Sequence, residues 1–176
     1  VLATMIRALG VALAWLAGAL VVGIAHADDA DVLVPARVSA HGWFFEGHAG
    51  MASAANRGFM SNAGFVVTGD GVVVFDALGT PVLGRAMVDA IRKVTSQPIR
   101  RVVVSHYHAD HVYGLQALKA AGAEIWAYRK GEAYFTSGVA DERLAQRRAD
   151  LFPWVDEKTR VVRPDVWLDG DVRGRI

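Results

Sequence analysis

An apolar run that ends in a burst of imidazoles constrains this chain more than any other stretch of it. Ile99-Arg100-Arg101-Val102-Val103-Val104 reads as a short buried strand, and after Ser105 comes His106-Tyr107-His108-Ala109-Asp110-His111. If the backbone stays extended past Ser105, then His106, His108 and Asp110 face one way, and Tyr107 and Ala109 the other. His111 follows at the start of a helix. Such a cluster, at the C-terminal end of a strand, has the makings of a metal site.

The flanking elements agree. Asn62 to Thr68 and Val72 to Asp76 are β-branched runs joined by Gly69-Asp70-Gly71, a hairpin whose turn needs positive φ. Thr80 is placed to cap a helix with Pro81 in its first position, and Leu83, Met87, Ala90, Ile91 and Val94 recur at helical spacing. His41 to Gly47 reads as a first strand, Val112 to Ala121 as a helix stopped by Gly122, and Ala123 to Ala127 as a strand. Arg129 to Asp150 reads as one or two surface helices, with short strands at Val161-Val162 and Val166-Trp167-Leu168. The order predicts an α/β layout, with helices packed against a mixed sheet.

The N-terminus carries a different message. Arg7 precedes an uncharged stretch over residues 8–25, and Ala25-His26-Ala27 is a small-x-small cleavage signal before Asp28-Asp29. This is the layout of a secretory signal peptide over residues 1–27, with Met5 as the start and residues 28–40 as a loosely attached leader. The alternative is a retained membrane anchor; both send the domain at 41–176 out of the cytoplasm, to the periplasm or beyond. Cleavage removes Arg7 and no acid, taking the net charge from +1 to 0. No basic stripe with interleaved aromatics points to nucleic acid. With no cysteine in the chain, any metal must be held by His and carboxylate.

Neutral imidazole and carboxylate both ligate zinc, and two histidines at i and i+2 on extended backbone can grip one ion. Asp110 and His111 then point away from that pair, toward a second ion. A two-metal site with a bridging hydroxide follows, because water bound to such ions ionises near a pKa of ~7. Iron and manganese suit the same donors.

His106-x-His108-x-Asp110-His111, after a hydrophobic strand and the Val-Val-Phe-Asp end at Asp76, resembles the metallo-β-lactamase superfamily of metallohydrolases over residues 41–170. The resemblance implies the N-terminal portion of an αββα sandwich, with its metal site at the sheet edges. It implies two zinc ions, one served by His106 and His108, the other by Asp110 and His111. Asp110 would also pass a proton to the leaving group, making it the catalytic residue. Asp76 would support the site from behind the ligands, although a simple turn-capping role serves it equally. Without cysteine the chain is similar to the all-His/Asp branch, which includes thioesterases of the glyoxalase II kind and one class of β-lactamases. The implied activity is metal-hydroxide attack on an ester, thioester or lactam of a small-molecule substrate.

Family members take further ligands from the second half of the domain, and no histidine follows His111. Asp165, Asp169 and Asp171 stand in no matching motif. The expectation is a truncated N-terminal half that is inactive by itself; the alternative is a non-catalytic metal-binding remnant or an association module that pairs through an uncovered sheet face. The remaining polar and aromatic residues read structurally. His41 and His48 are surface or packing residues, Trp43, Phe44 and Phe45 pack, and Tyr107 and Tyr113 pack under the motif. Arg143, Arg147 and Arg148 form a solvated helix face.

Overall fold

The computed structural model describes residues 33–170. The signal segment and Asp171 lie outside them. Seven strands form one sheet in sequential order: β1 (Ala36–Arg37), β2 (Gly42–Phe45), β3 (Ala63–Val67), β4 (Val72–Phe75), β5 (Ile99–Val104), β6 (Glu124–Tyr128) and β7 (Val166–Leu168). Strands β1 to β4 pair antiparallel and β4 to β7 parallel. The hairpin predicted at 62–76 is present, with Gly71 at φ +136° in its turn.

Parallel neighbours require crossovers, and helices supply them. Helix α1 (Pro81–Val94) joins β4 to β5, and α2 (Ala109–Val112) with α3 (Leu115–Ala120) joins β5 to β6. A 3₁₀ turn (Arg129–Gly131), α4 (Glu132–Thr136) and α5 (Val139–Leu151) lead on toward β7. Helix α1 starts where its sequence says: the Thr80 hydroxyl accepts from the Leu83 amide at 3.3 Å, and Pro81 follows. Arg92 and Lys93 sit in its last turn, where cations complement the helix dipole.

Cross-strand partners share a face, so the register sorts the sheet into two surfaces. Phe65, Val74, Val102 and Ile125 form one row, fully buried beneath Leu83, Met87, Ile91, Leu115 and Leu118 of α1 and α3. Each such aliphatic side chain contributes roughly 1.5–3 kcal/mol. The row on the other face runs Phe44, Gly64, Phe75, Val103, Trp126, Val166. No helix among the described residues covers it, and Phe75 remains 40% exposed. Arg101 lies over the Trp126 ring on this face, 4.8 Å from its centroid.

Several expectations change. The leader is not loose throughout, because Leu33 is buried and β1 pairs with β2. The helix expected over 112–121 is two short helices broken at Tyr113-Gly114, and Val161-Val162 forms no strand. Close packing explains the break. A Cβ on Gly84 would collide with the Gly114 carbonyl, and one on Gly114 with the Ala77 carbonyl, so α1 and the α2–α3 junction meet backbone to backbone.

Candidate metal centre

Because β4 and β5 are parallel, their chains leave the sheet at the same edge. Asp76 therefore emerges beside Ser105 and the histidine motif. The two exits stay joined beyond the strands: Asp76 N–H donates to Val103 O at 3.0 Å, Ala77 N–H to His111 O at 2.9 Å, and Gly114 N–H to Leu78 O at 3.1 Å. Asp76 and Leu78 sit at φ +62° and +64°. Asp accepts this left-handed backbone with little penalty, whereas Leu does not, and such strain costs about 1–3 kcal/mol where surrounding structure holds it.

The Asp76 carboxylate, nearly buried, organises the edge. Its Oδ1 accepts from the Ser105 amide at 2.8 Å, and its Oδ2 accepts from the Ser105 hydroxyl at 2.7 Å. The same Oδ2 lies 2.9 Å from His111 Nδ1. A carboxylate there keeps a proton on Nδ1, so Nε2 is the nitrogen that would serve a metal ion. Nε2 lies 3.3 Å from Asp110 Oδ2. Burial opposes charge on His111, but the hydrogen bonds to Asp110 and Asp76 prevail and raise its pKa to about 9. The same hydrogen bond holds Asp110 below the usual carboxylate range against its partial burial. His106 is pushed down, by burial first and then by the neighbouring His111 and His108.

Backbone geometry departs from the extended reading. Strand β5 ends at Val104, residues 105–108 form a loop, and α2 begins at Ala109, so Asp110 and His111 are helical. His111 does not point away from the first pair. Its ring centroid is 4.1 Å from that of His106, and His106 is 4.6 Å from His108. Helical and loop segments thus bring all four side chains to one place. Ser61, unremarked in the sequence, secures them from below: its hydroxyl donates to the Asp110 carbonyl at 2.5 Å. Only the tertiary approach of the 56–61 loop reveals that contact.

The surroundings hold two further departures. Arg147 and Arg148 are half-buried rather than on a solvated helix face. Arg148 donates to the carbonyls of Asp156 and Thr159, fastening α5 to the chain that follows it. Tyr113 is packed as expected, at 2% exposure. Tyr107 instead is exposed and stacks on Tyr134, with ring centroids 4.6 Å apart. His48 meets Phe59 edge-on at 5.2 Å and takes no part in the cluster. A hollow of about 320 Å³ opens beside His108 and Asp110. A larger one, about 690 Å³, lies between α1 and α3 and contains none of the motif residues.

The donors suit a divalent cation in kind: three imidazoles and a carboxylate, one imidazole already oriented through its far nitrogen. Their arrangement falls short, since no group of three or more His, Cys, Asp or Glu among the described residues is placed to hold an ion.

A family profile described as the metallo-beta-lactamase superfamily matches residues 56–175. The chain belongs to that superfamily. Solved structures with the same fold include a metallo-beta-lactamase from Pontibacter korlensis, at 18% identity and TM-score 0.56, covering 82% of this chain and 56% of that one. A motif mutant of a metallo-beta-lactamase from Cronobacter sakazakii aligns at 21% identity and TM-score 0.56, covering 82% and 50%. A sec-alkyl sulfatase aligns at 20% identity and TM-score 0.54, covering 81% and 26%. The chain spans about half the length of the two lactamases. Lactamase and sulfatase on one fold show that the fold does not select the reaction.

Proposed function

We propose that this chain carries the metal-binding edge of an exported zinc-dependent hydrolase acting on a small-molecule ester, thioester or lactam. One observation supports the reading above the others: His106, His108, Asp110 and His111 converge at the carboxyl edge of β5, with Asp76 bonded to Nδ1 of His111 and Nε2 turned toward Asp110. His106 and His108 would hold one ion, Asp110 and His111 the other. Two donors per ion is fewer than the three protein ligands usual for catalytic zinc, and no third is placed for either ion among the described residues. The chemistry such ions supply when bound is the activation of water at neutral pH and the polarisation of a carbonyl.

The protein's own residues have definite tasks in this reading. Asp76 keeps the His111 proton on Nδ1. Ser105 and Ser61 hold the loop on either side of the cluster. Asp110 keeps its charge at neutral pH and is placed to receive and return a proton at its Oδ2. Calorimetric titration of the full chain with zinc tests the proposal. Binding that weakens sharply in His106→Ala and His108→Ala supports it; no binding, or binding indifferent to both changes, refutes it. Export rests on the pattern of residues 1–27, and N-terminal sequencing of the protein recovered from the cell envelope checks it.

A second reading has its own observation. The open row of Phe44, Phe75, Val103, Trp126 and Val166 favours an association module in which two copies pair through this face. Sedimentation of a monomer at high concentration would exclude it.

A further inference from the structure

The hollow beside the histidine cluster is lined by unlike residues. Met51, Ala52 and Met60 are apolar, and Tyr113, Arg143 and Arg147 carry hydrogen-bond donors. At about 320 Å³ it lies at the small end of the range that ligand sites occupy. Arg143 and Arg147 are four residues apart on α5 and so project from the same side of the helix. Arg143 has no hydrogen-bond or ion-pair partner among the described residues. Arg147 pairs with Asp150 through one terminal nitrogen, at 2.9 Å, leaving most of its five donors uncommitted. The Asp110 carboxylate, which also borders the hollow, is turned to His111.

The second observation is independent of the arginines. Tyr113 is 2% exposed, and its hydroxyl is a buried polar group with no hydrogen-bond partner among the described residues. Buried hydroxyls are seldom left so, and this one belongs to a residue that lines the hollow, so it is the donor there that still lacks an acceptor. Two guanidinium groups and an orphaned O–H are all donors. Their common complement is an anionic oxygen group, and the lining methionines suit an apolar body attached to it.

We infer that this hollow is an anion-recognition subsite, in which Arg143, Arg147 and the Tyr113 hydroxyl bind a carboxylate or phosphate group of a small, otherwise apolar molecule. This deepens, and rests on, the reading of the same edge as a substrate site. The anchored group would place the remainder of the molecule against His108 and Asp110. Tyr113, Arg143 and Arg147 are specificity-determining residues in this account, touching substrate away from the bond that is cleaved.

The test is ligand binding to the metal-free full chain, stripped with a chelating resin so that no soluble chelator competes for the site. Benzoate, phenyl phosphate and neutral benzyl alcohol serve as probes, followed by NMR chemical-shift titration. Benzoate or phenyl phosphate should bind with shifts centred on residues 107–113 and 143–147, at least tenfold more tightly than benzyl alcohol. The tighter of the two anions identifies the source of the oxygen group. Arg143→Gln and Arg147→Gln should each weaken the anion at least fivefold, and Tyr113→Phe, which keeps the packed ring, at least threefold. Equal binding of benzyl alcohol, or anion binding unchanged in both arginine variants, overturns the inference. Unchanged binding in Tyr113→Phe overturns the part assigned to the hydroxyl. His106→Ala separates the two levels of argument. Zinc binding that ignores this change, with benzoate bound normally, refutes the metal-site assignment alone. Failure of anion binding while zinc binding still depends on His106 refutes the subsite alone.

Discussion

Replacing Asp76 by Asn is the most informative single perturbation of the site. The amide keeps the size of the carboxylate and tolerates the φ of +62°. It can still accept from the Ser105 amide, but it offers no anion to His111 Nδ1. In the metal-free chain His111 titrates at about 9 rather than the ordinary 6.5. A rise of that size corresponds to roughly 3 kcal/mol of stabilisation when fully expressed. The folded pKa is the higher one, so this stabilisation is complete below pH 6.5 and is lost as pH rises through about 9. Asp110 and Asp76 share it, so losing Asp76 should cost on the order of 1–2 kcal/mol at pH 6. Loss of its hydrogen bonds to neutral groups adds about 0.5–1 kcal/mol at any pH. Urea unfolding of wild type and Asp76→Asn between pH 5.5 and 10 reads this out. The gap in stability should narrow by at least 1 kcal/mol across the range. NMR should show His111 titrating lower in the variant. A gap independent of pH, or an unmoved His111 midpoint, would refute the claim that Asp76 governs this histidine. Zinc affinity should fall about 10–100-fold, because the amide favours the tautomer whose proton occupies Nε2.

Other perturbations follow from the packing. Tyr113→Phe should leave stability unchanged or raise it by about 1 kcal/mol in urea unfolding, since it deletes a buried hydroxyl without a partner; a loss above that size would mean the hydroxyl is bonded. Gly114→Ala should destabilise by roughly 1–3 kcal/mol or more, because its methyl group enters the Ala77 carbonyl, and thermal unfolding measures it. Ser61→Ala should cost about 1 kcal/mol through the lost bond to the Asp110 carbonyl, with a parallel fall in zinc affinity.

Local signals carried the elements that local chemistry controls. Thr80-Pro81 set the start of α1, Gly69-Asp70-Gly71 set the hairpin, and the valine run set β5, all at or within a residue of the observed bounds. The histidine motif was equally legible as a cluster of donors. Its backbone was not. The extended reading missed that α2 begins at Ala109, because the turn there is held by Ala77 and Leu78, residues distant in sequence. That contact swings His111 against His106 rather than away from it. Arg143 is exposed as its spacing suggests, whereas Arg147 and Arg148 differ for a similar reason: helical periodicity predicts a polar face but not what lies opposite. Ser61 and Tyr113 acquire their roles only when the 51–61 loop and α5 close over the motif. The Asp76 pairing with Ser105 and His111 is likewise a product of parallel β4 and β5.

The central claim is that the four motif side chains hold metal ions, and X-ray absorption at the zinc edge of the zinc-loaded full chain tests it most directly. The account predicts nitrogen and oxygen neighbours at about 2.0–2.2 Å with the multiple-scattering pattern of imidazole, diminished in His106→Ala and in His108→Ala. A spectrum showing only oxygen neighbours, or imidazole scattering untouched by either substitution, would contradict it.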